Sequence, residues 1–316
     1  MTRVESPRGR EDVTRCPACG AGGGGASFDA PPQMAPPGPP FRFTACDACG
    51  LLFLSERVPV EEVGRFYGED YLPHRGDEAW GAFAPLVRMG RERTDRARVR
   101  RLSGVVDLGA GVRVLDVGCG RPTFLRALRD AHGVDGVGVD LRAEAFAGDP
   151  AFRDLDLRSG DLREVPLEGS FAAMTMWHYL EHDYDPPATL RRMRAHARPD
   201  TVLLVEVPDG RSAARRWAGG RWAGFHTPRH TAVYTPETLR RLLERAGWAV
   251  IRDDLAPTLD PWVLWWLSWR ERRGTDWTGS MARYFPAFLL GKVLLAPFLR
   301  IVSHDVLLVA ARPTGG

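Results

Sequence analysis

Strong charge of either sign is the first thing this sequence lacks. Its 43 Lys and Arg stand against 40 Asp and Glu, a net +3. That excess is too small to argue for nucleic acid as a partner, and none is expected. An apolar leader is missing too: Met1 to Thr14 is polar and charged, so no secretory signal is expected. Long hydrophobic runs are absent. The most apolar stretch, Phe285 to Leu299, is short and carries Lys292, whereas a membrane span needs about 20 apolar residues, so a span is rejected here. These absences point to the cytoplasm, where the five cysteines read as ligands or free thiols and not as disulfides. No internal repeat is visible, which excludes solenoids and propellers. What remains, 44% hydrophobic and 26% charged residues, is the composition of a soluble globular protein, long enough for one large domain with accessories. One local concentration of charge stands out. Arg88, Arg91, Arg93, Arg96, Arg98, Arg100 and Arg101 crowd one expected helix, as a solvated face or as a surface for an anionic substrate or lipid.

Four regions follow along the chain. Residues 1–15 read as a disordered tail. Residues 16–55 hold two cysteine pairs around a Gly/Pro-rich stretch, Ala21 to Pro40, which by composition cannot build a core. Residues 56–105 read as a helical connector or lid with Phe66, Tyr67, Tyr71 and Trp80 near its start. Residues 106–316 alternate strand and helix, with strands expected at Arg113–Val117, Val137–Asp140, Ser170–Met176, Thr201–Val207, Trp248–Arg252 and His304–Ala311. That alternation implies an α/β fold, a Rossmann-like, doubly wound and mostly parallel sheet with helices on both faces. Leu255 to Ser303 interrupts it before the last strand. A loop of that length is uncommon without its own structure, so a helical insertion is expected, with Trp262, Trp265, Trp266, Trp269 and Trp277 inside it.

The strongest motif is Val114-Leu-Asp-Val-Gly-Cys-Gly120, followed by Arg121-Pro-Thr-Phe124. A strand ends at a tight glycine turn and a helix follows, so backbone can approach a ligand and helix N–H groups face it. A dinucleotide loop wants G-x-G-x-x-G, but Thr123 stands at the third position. Asp116, two residues before the first glycine, suits a cationic cofactor better than a pyrophosphate. S-adenosylmethionine (SAM) carries an ammonium and a sulfonium and no phosphate. Asp140 comes twenty residues after Gly120 and can accept from ribose hydroxyls. Asp161, in Ser159-Gly-Asp-Leu162, can accept from an adenine amine.

On these residues the chain resembles the class I SAM-dependent methyltransferases from about Val112 to Arg312. The resemblance implies that Asp116, Gly118 and Gly120 line the methionine end, that Asp140 and Leu141 hold the ribose, and that Asp161 and Leu162 meet the adenine. Pro122 stands where the family often has a third glycine, and proline is acceptable in a first helical turn. Cys119, inside the loop, reads as a small buried side chain.

Two further segments carry candidate chemistry. Met176-Trp-His-Tyr-Leu-Glu-His182 resembles family segments bordering the methyl group. Trp177 would pack on the cofactor, and His178 and His182 are candidate bases or loop caps. Their H-x-x-E-H spacing also mimics a metal-binding helix, so metal-assisted transfer stays open. Arg221-Trp222, Phe225-His226 and Pro228-Arg-His230, ending Tyr234-Thr-Pro-Glu-Thr-Leu239, resemble a bacterial methyltransferase subgroup tied to sugar, polysaccharide or secondary-metabolite pathways. His226 and His230 are base candidates, and Arg229-His230 alternatively anchors the loop to the core.

Cys16-Pro-Ala-Cys19-Gly20 and Cys46-Asp-Ala-Cys49-Gly50 are paired knuckles. Four thiolates make a closed structural zinc site, and the long spacer costs little entropy. The function expected is methylation of a small-molecule acceptor: a sugar, a lipid-linked saccharide or a secondary metabolite. The alternatives are quinone or phenol O-methylation, or a non-catalytic zinc-bearing SAM-fold binding protein. The Trp-rich insertion, with Arg270, Arg272 and Arg273 beside it, is expected to cover the pocket or to meet a membrane peripherally through 259–302.

Overall fold

The computed structural model describes residues 9–35, 37–68, 75–277 and 279–315. Strands are numbered along the chain. β1 (Glu11–Asp12), β2 (Ser27–Ala30), β3 (Phe41–Ala45), β4 (Leu52–Leu54) and β5 (Glu56–Arg57) precede β6 (Arg113–Val117), β7 (Asp135–Asp140), β8 (Asp156–Ser159) and β9 (Phe171–Trp177). β10 (Ala197–Pro208), β11 (Ala232–Val233), β12 (Trp248–Arg252) and β13 (Val306–Pro313) follow. The helices are α1 (Val60–Val63), α2 (Ala84–Ser103), α3 (Thr123–His132), α4 (Glu144–Ala147), α5 (Pro186–Ala195), α6 (Ala213–Ala218), α7 (Pro236–Arg245), α8 (Pro261–Arg272) and α9 (Phe285–Val302). The chain divides into two compact units. One comprises Met1–Met89, Pro208–Thr238 and Leu259–Val306; the other comprises Gly90–Val207, Leu239–Thr258 and Leu307–Gly316.

The second unit is built on a seven-stranded sheet in the order β12-β13-β10-β9-β6-β7-β8. β6, β7, β8, β9 and β10 pair in parallel, and β12 pairs antiparallel with β13. Strands covered on both faces read as continuous apolar runs, and all of β9 is buried. The expected alternation of strand and helix is what forms. Chain punctuation is local. Gly133 ends α3 in the left-handed region at φ 71°, its N–H bonding Arg129 O, a glycine C-cap. Asp185 caps α5 by accepting from Ala188 N, with Pro186 opening the helix. Val99 and Leu102 of α2 join Phe124, Leu125 and Leu128 of α3 and Leu204 of β10 in one core cluster.

Register sets the site. Asp116 lies opposite Gly138 on one side and Thr175 on the other, and Asp140 lies opposite Ser159. The chain order reverses between β6 and β9, so the carboxyl ends of these strands open a crevice at the switch point, where ligands bind in open α/β sheets.

The first unit departs from the layout expected from sequence. A four-stranded sheet, order β11-β4-β3-β2, joins the cysteine region to Ala232–Val233 from the far half of the chain. The Gly/Pro-rich stretch that composition marks as coreless contributes Phe28, which packs on Phe43 and Phe225, and buries Ala30, Gln33 and Met34. It does so by docking on residues distant in sequence. Glu11–Asp12 pairs antiparallel with Glu56–Arg57, so part of the expected disordered tail is a strand; residues 1–8 lie outside the described residues, as does Tyr71. The insertion is a helical hairpin of α8 and α9, with Trp262 and Trp266 packed on Ala296 and Leu299. Helical structure runs from Met281 to Ile301, long and apolar enough by length and composition to cross a membrane. The apolar element is therefore longer than the Phe285–Leu299 stretch judged too short in the sequence.

Candidate functional site

The glycine turn after β6 adopts a geometry that side chains resist. Gly118 has φ 72° and Gly120 φ 48°. A Cβ on Gly118 would lie 2.9 Å from Cβ of Tyr179 and still closer to its ring, so glycine is required twice, by backbone conformation and by space. Cys119 packs its Sγ against Gly138, and burial pushes its thiol well above the ordinary range. The side chain is half-buried, where the sequence suggested a buried one, and its raised thiol makes it inert.

Asp116 is buried at the end of β6 and accepts from Thr175 Oγ1 at 2.6 Å. Burial raises its carboxyl to about 7, against the pull of Thr175 and Arg98. A carboxylate held out of water with one hydroxyl partner is under-compensated, and a cation would relieve it. Asp140 accepts from Gly120 N through Oδ2 and from Arg142 N through Oδ1, both at 3.0 Å. Each oxygen keeps a further lone pair for a hydroxyl. Leu141 beside it is 62% exposed, an apolar surface at the crevice. Asp161 is clamped by the guanidinium and backbone N–H of Arg163, which hold its carboxyl below the usual range, and Leu162 is buried. Trp177 is a core residue. Phe124 meets it edge-on at 5.4 Å and Arg98 lies over it at 5.2 Å, while its buried indole Nε1 has no hydrogen-bond partner among the described residues.

The reactive-end segment is not a metal-binding helix. His178 sits in the left-handed region at φ 56°, and only Leu180–His182 forms a helical turn, of the 3-10 type. His178 instead bridges two buried carboxylates: Nδ1 is 3.2 Å from Glu181 Oε1, and Nε2 is 3.1 Å from Glu206 Oε1. Burial works against charge, but Glu181 and Glu206 carry the imidazole up to about 9. Glu206 is in turn held below its ordinary value despite burial, by His178, and is fixed by Thr258 N and Oγ1, each at 2.7 Å. Glu181 and Glu206 favour the imidazolium form of His178, which has no lone pair to receive a proton. His182 is half-buried at the end of the turn.

In the first unit, Arg229 is buried and donates to Phe66 O, Gln33 O and Met34 O. This is the anchoring role. His226 and His230 are both buried, with Nδ1 of the former 3.3 Å from Nε2 of the latter, and His230 Nδ1 donates to Gly224 O at 2.8 Å. A carbonyl oxygen can only accept, so His230 Nδ1 carries a proton.

The four cysteines converge. Their sulfurs lie within 4.8 Å of one another, with Cys16–Cys49 and Cys19–Cys46 both at 3.6 Å. Four sulfurs about 2.3 Å from a central zinc would stand about 3.8 Å apart. The two knuckles repeat one another: Gly20 N bonds Cys16 O and Gly50 N bonds Cys46 O, with both glycines at left-handed φ. Burial pushes the Cys16 and Cys49 thiols up, whereas at Cys46 burial is outweighed by the backbone N–H groups of Cys49 and Ala48, which bring it down to about 7.

Arg98 and Asp95 are the site residues that sequence reasoning missed. Asp95 is buried and pairs with Arg98 at 3.7 Å. Arg98 was one cation in a crowd of seven. The signal that could have singled it out is its helix face, shared with Asp95, Val99 and Leu102 at i, i+3 and i+4 spacing.

With this geometry in hand, the comparisons with known proteins decide the family. The family model for a methyltransferase domain matches residues 88–253, more than half of the chain. The chain belongs to that family, and it is a class I SAM-dependent methyltransferase by fold and motif. It is 29% identical over 191 residues to the tRNA U34 carboxymethyltransferase of Methylococcus capsulatus, covering 56% of this chain and 55% of that relative. It is 24% identical over 230 residues to the ubiquinone biosynthesis O-methyltransferase of Rhodopseudomonas palustris, covering 67% of this chain and 90% of the relative. Among solved structures, the complex of the Haloferax volcanii Trm112 methyltransferase activator with a putative methyltransferase aligns over 74% of this chain and 97% of that one. The TM-score is 0.50 at 20% identity, a likeness of fold.

Proposed function

We propose that this methyltransferase uses SAM to methylate a small-molecule acceptor, and that its cysteine cluster holds one structural zinc ion. The observation that carries the first statement is the buried, under-compensated Asp116 carboxylate beside a glycine turn whose Gly118 has no room for a side chain. When bound, SAM supplies an electrophilic methyl group on a sulfonium. Asp116 would pair with its positive charge, and Gly118 and Gly120 would let backbone close on the methionine end. Asp140 would accept from the ribose hydroxyls, with Leu141 beneath the sugar. Asp161, pre-oriented by Arg163, and Leu162 would meet the adenine. The His178–Glu206–Thr258 chain stiffens the end of β10 at the crevice, and Trp177 and Arg98 close its floor.

A hydroxyl acceptor must lose a proton during transfer. The base candidates are His178 and His182 in the second unit and His226 and His230 in the first. The acceptor class of sugar, lipid-linked saccharide or secondary metabolite rests on the Arg221–Leu239 motif. Quinone or phenol O-methylation is the second reading, supported by alignment over nine-tenths of a ubiquinone-pathway relative. Calorimetry tests the donor. SAM and its demethylated product should bind and NAD should not, and Asp140→Ala should weaken binding by on the order of 1.5–3 kcal/mol through lost charged hydrogen bonds. NAD binding without SAM binding would end the proposal. Metabolite profiling of a deletion strain for one-methyl mass differences identifies the acceptor.

A further inference from the structure

A helix that packs on one side ordinarily turns polar residues to water. α9 does not. Its inner face, through Phe288, Ala296 and Leu299, packs on Trp262 and Trp266 of α8, and a Cβ on Gly291 would strike the Trp262 ring. The opposite face is Leu290, Val293, Leu294, Phe298 and Ile301, with Val293 72% and Ile301 78% exposed. That surface is contiguous, since the residues recur at three- and four-residue spacing over three turns.

Charge says what covers it. Between Pro261 and His304 the sequence has Arg270, Arg272, Arg273, Arg283, Lys292 and Arg300 against only Glu271 and Asp276. Glu271 is buried, accepting from Met34 N. Asp260 lies 3.8 Å from Lys292 and 2.7 Å from Arg300, and Asp276 lies 4.0 Å from Arg283, so part of the charge is offset; cations still outnumber acids six to three from Asp260 to His304. Two copies meeting through this face would bring like charges together, whereas anionic headgroups would be attracted. Aromatic residues rim the hairpin: Trp217 is 41% exposed, packs against Trp265 with centroids 5.4 Å apart and lies under Arg272 at 4.9 Å. Indole and guanidinium groups beside an apolar face suit the headgroup level of a bilayer.

We propose that the outer face of α9 docks this protein on the surface of a bilayer containing anionic lipid, with the helix lying in the interface. α8 covers the inner face, so the helix enters from one side and does not span. A lipid-linked acceptor follows only if the methyl-transfer reading above also holds. Docking is therefore measured without SAM, and either idea can fail alone.

The experiment is flotation of the full-length protein with vesicles of phosphatidylcholine alone or with about one-third phosphatidylglycerol. The wild type should float with the anionic vesicles and much less with the neutral ones. Leu294→Glu with Phe298→Glu, both exposed and outside the candidate cofactor site, should reduce the bound fraction at least tenfold while leaving thermal unfolding unchanged. Alkaline carbonate should release the bound protein. No flotation with either vesicle, or flotation indifferent to the double substitution, would overturn the proposal. So would resistance to carbonate, which marks a spanning helix, or a wild-type dimer that the substitution splits.

Discussion

Asp116 and His178 pull stability in separate pH windows. Asp116 has a folded value near 7 against an ordinary 3.8. The folded state binds its proton more tightly, so its contribution is full below about pH 4 and is lost as pH rises through 7, on the order of 4 kcal/mol. Asp116→Asn should therefore make the cofactor-free protein more heat-stable above pH 7 and leave it little changed near pH 4, while abolishing SAM binding. Thermal melts across pH check it; equal destabilisation at both ends would contradict it. His178 is raised from 6.5 to about 9, so its contribution, about 3 kcal/mol by the same linkage, is full below pH 6.5 and lost as pH rises through 9. His178→Gln should be destabilising at pH 6 and nearly neutral at pH 10. An NMR titration of the imidazole should turn near 9. A midpoint near 6.5 would favour His178 as a base. At this scale the sequence was informative about Asp116, Gly118 and Asp140, because a strand followed by a glycine turn fixes where those side chains stand. It could not show that His178 lies between Glu181 and Glu206, since Glu206 arrives from another strand.

Elements show the same division between local and distant determinants. The β6–β10 strands could be read because buried parallel strands are short apolar runs bounded by turns. The α7 start is a local device: Thr235 N donates to Thr238 Oγ1 while Thr238 N donates to Thr235 Oγ1, a reciprocal cap written in adjacent residues. β11 was not legible. Its two residues carry little pattern, and their partner β4 is some 180 positions away. The consequence is testable. Cys46→Ser should release zinc, about one ion per chain by metal analysis. It should also raise hydrogen exchange at Leu54, whose N–H bonds Thr231 O, and beyond residues 16–55 around Trp222, whose carbonyl Gln33 holds. Exchange confined to 16–55 would mean that the sheet survives without its metal. The α8–α9 hairpin is tied in likewise, since Trp277 and Met281 cluster with Met34. Replacing it with a short turn would expose that core, which makes point substitutions on its outer face the cleaner probe.

Over the whole molecule, the chain folds into two units, each with its own sheet and core, and each receives three separate stretches of sequence. Composition and periodicity describe consecutive residues, so they give a zinc module, a connector and an interrupted domain; only the long-range pairings assemble the pieces. Stability should reflect the cores. The proposed zinc lies wholly in the first unit, and the proposed SAM contacts lie wholly in the second. A ligand at one hundred times its dissociation constant stabilises the state it binds by about 2.7 kcal/mol. Calorimetric unfolding should accordingly resolve two transitions. S-adenosylhomocysteine should move one upward by several degrees, and a zinc chelator should lower or erase the other while the first keeps its shift. Both ligands moving a single transition together would instead show one cooperative core, in which loss of the metal costs cofactor affinity as well. Binding of S-adenosylhomocysteine to chelated protein separates these outcomes directly: retained affinity belongs to two units that melt on their own, and lost affinity to one.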